Sequence, residues 1–171
     1  MIPCGEDLSV GFECVPRVMK KLNILGLRVV RWCRKWEKEG QPFVPLNEYE
    51  PLSVCTTSVH DSSTMREWMD NEELTVDNRQ LTIEKDHSFI INQELSVFDL
   101  LKTCKTAESI WFIPPLQDLL YIEEKYWLPT AQEERINVPG TVNTFNWTYR
   151  IPATLEELIE NEELCKKIRD L

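Results

Sequence analysis

The chain has 171 residues, of which 42% are hydrophobic and 28% charged, enough for one domain with a real core and too few for two comfortable ones. Lys and Arg number 19 against 29 Asp and Glu, a formal charge of −10, which argues against nucleic acid and against an anionic membrane surface as partners. No stretch nears the roughly 20 apolar residues of a membrane span, and Met1-Ile2-Pro3-Cys4-Gly5-Glu6-Asp7 lacks the charged and apolar regions of a signal peptide. A soluble, cytoplasmic protein with a neutral or cationic ligand is expected.

Residues 14 to 22 place Val15, Val18, Met19 and Leu22 on one face and predict a helix. Gly26 reads as its stop, and Leu27 to Trp32 as a strand. Residues 33 to 51, punctuated by Gly40, Pro42, Pro45 and Pro51, read as irregular, and Leu52 to Thr57 as the next strand. Thr64 and Glu67 have the spacing of a capping box ahead of a helix carrying Met65, Trp68 and Met69.

The polar stretch 70 to 93 has the look of an insertion. Ser96 and Asp99 predict a cap for a helix with Val97, Leu100, Leu101 and Cys104 on one face. Ser109 to Ile113 is the most apolar strand, stopped by Pro114-Pro115, and Leu116, Leu119 and Leu120 continue as a helix. Residues 128 to 153 are loop-rich. Thr154 and Glu157 form a third capping box, opening an acidic terminal helix or helix pair. This order predicts an α/β fold with a parallel sheet. About four strand–helix units correspond to half of a (β/α)8 TIM-type barrel, a fold that needs about 250 residues when complete.

The six cysteines contain no CxxC pair, and His60 and His87 are the only histidines, so a zinc site is not expected and the thiols read as reduced and mostly buried. Asn146-Trp147-Thr148 is a sequon, read as chance. Six tryptophans (Trp32, Trp36, Trp68, Trp111, Trp127, Trp147) could stack on sugars, although most tryptophans serve a core.

In parallel α/β folds the working side chains follow strand C-termini. Glu6-Asp7 and His60-Asp61 sit there, and carboxylates sharing one face suit glycosyl transfer. Each has a blander use. Asp61 fits a turn or helix cap, Glu6-Asp7 a solvated pair, and His60 an ordinary packed or solvent-facing histidine.

Six segments carry a resemblance. They are Ile2-Pro3-Cys4-Gly5-Glu6-Asp7-Leu8, Gly26-Leu27-Arg28-Val29, the run Leu52 to Asp61 ending Thr57-Ser58-Val59-His60-Asp61, Pro115-Leu116-Gln117-Asp118-Leu119-Leu120, Arg135-Ile136-Asn137-Val138-Pro139-Gly140-Thr141, and Asn146-Trp147-Thr148-Tyr149-Arg150. In that order, and over nearly the whole chain, they resemble the 4-α-glucanotransferases (amylomaltases and disproportionating enzymes, glycoside hydrolase family 77). Cys4 and the Trp-Phe-Ile-Pro-Pro-Leu-Gln-Asp wording resemble most the larger, maltose-using cytosolic members.

The resemblance implies a retaining mechanism on a (β/α)8 barrel, with maltose, malto-oligosaccharides or glucan as substrates and no cofactor. Glu6 would be the acid/base catalyst. Asp61 would be the second aspartate, which holds sugar hydroxyls and favours a distorted ring, with His60 beside it and Asn137 at the rim. Ser9 stands where glycine is usual, and Val59 where threonine is usual.

The nucleophilic aspartate belongs to an upstream strand motif that this chain lacks. Residues 1–171 are therefore expected to be the last four strands of the catalytic domain, inactive until the N-terminal half of the barrel joins them. A non-catalytic glucan- or partner-binding remnant is the alternative, and a generic acid-based hydrolase a third. Glu6 needs a raised pKa, so partial burial or an acidic neighbour, Asp7 in sequence, is expected.

Overall fold

Leu25-Gly26-Leu27-Arg28-Val29 is the strand on which the sheet is built, paired on both sides with parallel neighbours. The computed structural model describes residues 2–8, 12, 14–71, 74–77, 80–83 and 96–171. In chain order the elements are β1 (Cys4–Gly5), α1 (Cys14–Leu22), β2 (Leu25–Val29), β3 (Ser53–Thr56), α2 (Met65–Asn71), β4 (Leu74–Asp77), β5 (Gln80–Ile83), α3 (Val97–Cys104), β6 (Trp111–Phe112), α4 (Leu116–Leu120), α5 (Leu155–Glu160) and α6 (Glu162–Asp170). One sheet runs β1-β2-β3-β6, all parallel, and β4-β5 form a separate antiparallel pair. The α/β expectation with a parallel sheet holds.

Local signals located the helices well. Ser96 accepts from the Asp99 amide at 3.1 Å and opens α3. Thr154 and Glu157 close both halves of a capping box at α5, and the terminal segment is a helix pair. Thr64 accepts from the Glu67 amide at 3.2 Å, but only this half of the expected box forms.

Several expectations need correction. Gly26 does not stop α1. It lies inside β2, which begins at Leu25, and Val30–Trp32 turn into a 3-10 segment instead of continuing the strand. A side chain at Gly26 would meet the Asp7 carboxylate and the Arg28 guanidinium at 2.8 Å, so glycine is there to let that pair close. The expected strand 109 to 113 shrinks to Trp111–Phe112. Part of the insertion-like stretch is the β4-β5 hairpin, and residues 84–95, with 72, 73, 78 and 79, lie outside the described residues.

The core joins Val30, Tyr49, Cys55, Met65, Trp68, Leu100, Leu101, Cys104, Leu120 and Leu164, all under 5% exposed. Its driving force is the roughly 25 cal/mol gained per Å² of apolar surface removed from water. The cysteines are free, but only Cys55 and Cys104 are buried. Among the tryptophans Trp68 is buried, whereas Trp32, Trp36, Trp111 and Trp147 are exposed; the expectation that most belong to the core is wrong. Among the described residues no helix is long and apolar enough to cross a membrane.

Candidate functional site

Parallel pairing brings the C-terminal ends of β1, β2, β3 and β6 to one rim of the sheet. Glu6-Asp7 follow β1 and His60-Asp61 follow β3. Only β2 separates them, so the strand axes lie about 10 Å apart at the usual interstrand spacing.

Glu6 is exposed, which corrects the expectation of partial burial. Asp7 is not free to act as its acidic neighbour either. The Asp7 carboxylate accepts from the Leu27 amide at 2.8 Å and pairs with the Arg28 guanidinium at 2.9 Å. Asp7 thus ties the segment after β1 to β2, and the next residue back presents Glu6 to solvent.

Asp61 is not a helix cap, but it does sit in a turn, which the Ser62 amide closes on the Val59 carbonyl at 3.0 Å. Thr64 caps α2, while Asp61 reaches across to Asn137, whose Nδ2 donates to Oδ1 at 2.7 Å. His60 Nε2 lies 3.4 Å from the same oxygen. The His60 ring faces the Trp147 indole, with centroids 5.3 Å apart and planes tilted by 36°. His60 and Asp61 keep 51% and 46% of their side chains exposed. The cluster is therefore open to a ligand, with donors and acceptors beside an aromatic face, the combination that sugars need.

The His60-Asp61 loop hangs from a buried carboxylate. Asp118, in the first turn of α4, accepts from the Thr57 hydroxyl, from the Ser58 hydroxyl at 3.2 Å and from the Met65 amide at 3.1 Å. Complete burial pushes its pKa up, and Thr57, the Met65 amide, the Arg31 charge and Ser58 oppose that shift. Both ends of the 57–65 loop are thus fixed by one side chain. The Gln117-Asp118 pair after Pro115 was the only trace of this in the sequence.

The opposite wall is the loop after Arg135. Trp147 holds a left-handed backbone (φ 67°) and donates its amide to Ile136 at 2.7 Å. Asn146 accepts from the Val138 amide at 3.1 Å and donates to the Thr141 carbonyl at 3.2 Å. The sequon asparagine thus closes the loop that carries Asn137 and Trp147. Among the described residues no cluster of three or more His, Cys, Asp or Glu side chains is arranged to hold a metal.

Residues 1–155 match the sequence profile of the 4-alpha-glucanotransferases, Glyco_hydro_77. The chain belongs to this family. It is 36% identical over 158 residues to the 4-alpha-glucanotransferase of Chlamydia pneumoniae, covering 92% of this chain and 30% of that protein. It is 33% identical over 175 residues to the 4-alpha-glucanotransferase DPE2 of Oryza sativa subsp. japonica, covering all of this chain and 18% of that protein. The chain thus spans about a third or less of the curated relatives it matches. Among solved structures, the amylomaltase from Streptococcus agalactiae in complex with acarbose superposes with a TM-score of 0.62 at 21% identity, over 96% of this chain and 30% of that one. The amylomaltase from Corynebacterium glutamicum gives 0.63 at 18% identity, over 99% and 28%. At these identities the structures speak for the fold.

Proposed function

We propose that residues 1–171 form the last four βα units of a 4-α-glucanotransferase barrel, a single partial catalytic domain that moves glucosyl or α-1,4-glucan units from maltose or malto-oligosaccharides to sugar acceptors. One observation carries this reading. Asp61, His60 and Asn137, from two motifs 76 residues apart, meet around a single carboxylate oxygen at an open, tryptophan-lined rim.

In this reading Glu6 protonates the departing glucan oxygen as an aspartate from the rest of the protein bonds to the anomeric carbon. An acceptor hydroxyl then attacks that carbon, the ester bond breaks, and Glu6 takes the hydroxyl proton. Asp61 and His60 hold hydroxyls of the same sugar and favour the flattened, positively charged ring, and Asn137 orients Asp61.

The open outer edges of β1 and β6, unpaired among the described residues, support a barrel completed by further strands. Exposed Ile110, Trp111, Ile113 and Leu116 flank the β6 edge. Six free cysteines agree with a reducing, cytoplasmic setting.

Mixing this chain with a separately produced N-terminal half and following glucose release from maltose tests the proposal. Activity in the mixture, absent from either part and lost with Glu6→Gln, is the expected result. A mixture that forms a stable complex yet transfers nothing would overturn the catalytic assignment in favour of a glucan-binding remnant.

A further inference from the structure

Two consecutive residues of α2 meet two consecutive residues ahead of the Asn137 loop, and their charges are crossed. Arg66 pairs with Glu134. Glu67 pairs with Arg135 through a two-pronged contact, Nε to Oε2 at 2.6 Å and Nη2 to Oε1 at 2.8 Å. The first pair is enclosed: Glu134 is fully buried, its Oε1 also accepts from the Leu128 amide at 3.0 Å, and the Arg66 guanidinium lies 4.5 Å from the centre of the Trp127 ring. Gln117 holds the Glu134 carbonyl at 3.0 Å.

The order of signs is what matters. Positions 66 and 67 read plus, minus, while 134 and 135 read minus, plus. Sliding the loop by one residue in one direction would set Arg66 against Arg135; in the other it would set Glu67 against Glu134. Either slip brings like charges together where water is largely excluded, which is strongly unfavourable. A slip would also carry Asn137 by one residue, about 3.3–3.8 Å, and a contact of 2.7 Å to Asp61 does not survive that.

We propose that these crossed pairs set the register of the 134–147 loop, which makes Glu67 and Arg135 positioning residues for Asn137 and Trp147 at the Asp61 site. The proposal rests on the glucan-site reading above for its functional meaning, but its geometry stands apart from it. It also accounts for the half-formed cap of α2. The Glu67 carboxylate, which a capping box would turn back to its own helix, is spent on Arg135. Because α2 directly follows the His60-Asp61 loop, both walls of the site are rooted in the first turn of one helix.

The test reads the His60 imidazole protons by NMR in a His87→Gln background, where a single histidine remains. Stacking against Trp147 displaces those signals from their free values. In Arg135→Lys, which cannot make the two-pronged contact, and in Glu67→Gln, the displacement should be lost in a chain that still melts cooperatively. The exchanged double variant Glu67→Arg/Arg135→Glu keeps opposite charges in register but removes the penalty for slipping. Its His60 signal should be broadened or doubled at a melting temperature close to the parent's.

If Glu67→Gln does not fold, Arg135→Lys, at a partly exposed site, decides the matter. An unmoved His60 signal in the folded single variants, with only a lower melting temperature, would show a purely structural pair and overturn the proposal. Maltoheptaose titration of the same samples separates the two claims. A His60 displacement that responds as stated, in a parent chain that binds no maltoheptaose even in complex with the N-terminal half, upholds the register role and overturns the glucan reading.

Discussion

Asn137 and Asp61 lie 76 residues apart in the chain and 2.7 Å apart in space, the asparagine half-buried and the aspartate exposed to solvent. A hydrogen bond at a solvent-exposed carboxylate contributes little to folding, because water competes for the same oxygen, so this contact orients a carboxylate with little effect on stability. Asn137→Ala should therefore leave the melting temperature within about 2–4 °C of the parent, as expected for a change of no more than about 1 kcal/mol in a chain of this size. It should weaken malto-oligosaccharide binding by roughly 3- to 10-fold, the equivalent of one hydrogen bond. Asn137→Asp should be worse, because it sets a second carboxylate against Asp61. Calorimetry with maltoheptaose checks both, and equal affinities across the three chains would remove Asn137 from the site.

Glu6→Gln separates binding from chemistry. The side chain is exposed, so the substitution should leave folding and saccharide affinity unchanged. In the completed enzyme it should lower transfer by about 10²–10⁴-fold, the usual worth of a positioned general acid. Rates of glucose release from maltose at saturating substrate are the measurement. Near-normal turnover would move the acid role to another carboxylate.

The helices were legible because their signals are local. Ser96 with Asp99 and Thr154 with Glu157 act within one turn, and the Cys14–Leu22 face repeats every three to four residues. The candidate residues Glu6, His60, Asp61 and Asn137 came from motifs, and of the blander uses only the helix cap is excluded for Asp61, since Thr64 takes that place while Asp61 sits in a turn. What stayed hidden is long-range. The Arg66–Glu134 and Glu67–Arg135 pairs span 68 residues and leave no periodic trace. Gly26 read as punctuation because a glycine that makes room for two side chains looks, in sequence, like one that ends a helix. Trp111 and Trp147 are exposed at an open sheet edge and a loop, where composition alone assigns tryptophan to a core.

Gly26→Ala tests that reading of the strand. Its Cβ would press on the ends of Asp7 and Arg28, flexible groups that can move, so β2 should survive while the Asp7–Arg28 pair opens. A loss of about 1–2 kcal/mol is expected, within the usual range for overpacking. Arg28→Ala should lose less when combined with Gly26→Ala than alone, because the pair is already broken. Urea unfolding of the four chains in this cycle gives the coupling, and strict additivity would mean that the glycine serves some other purpose.

The terminal helix pair is tethered by Asn161, which caps α6 by accepting from the Leu164 amide at 3.1 Å and donates to Glu123 at 2.8 Å and to the Tyr126 hydroxyl at 2.9 Å. Asn161→Ala removes a cap and a tether, and should cost about 1–2 kcal/mol. Burial pushes the Glu123 pKa up, but Asn161 and the neighbouring Lys125 and Lys167 outweigh it and hold the group below its ordinary 4.5. A lowered carboxylate contributes stability that is complete above its unfolded pKa and fades as pH falls through the folded value. The penalty of Asn161→Ala should therefore be larger at pH 7 than at pH 3, as read from urea midpoints.

Asp118 predicts the opposite sign. Burial raises its pKa above 3.8 in spite of the Thr57, Met65, Arg31 and Ser58 interactions. A raised carboxylate contributes stability that is complete below its unfolded pKa and is lost as pH climbs through the folded value. Asp118→Asn stays neutral throughout, keeps an acceptor for the Met65 amide, and offers its NH₂ to hydroxyls that can turn to accept. Its deficit relative to the parent should shrink as pH rises from about 3 to 7. Asp118→Ala leaves a buried amide and two hydroxyls without their acceptor, and should cost several kcal/mol at every pH, at about 1–3 kcal/mol for each orphaned group. Because Thr57 and Ser58 lead directly to His60, the alanine variant should also move the His60 NMR signal, whereas the asparagine variant should not. A pH-independent gap between Asp118→Asn and the parent would show that the carboxylate titrates alike in the folded and unfolded chain, and that burial at this position does not control its ionisation.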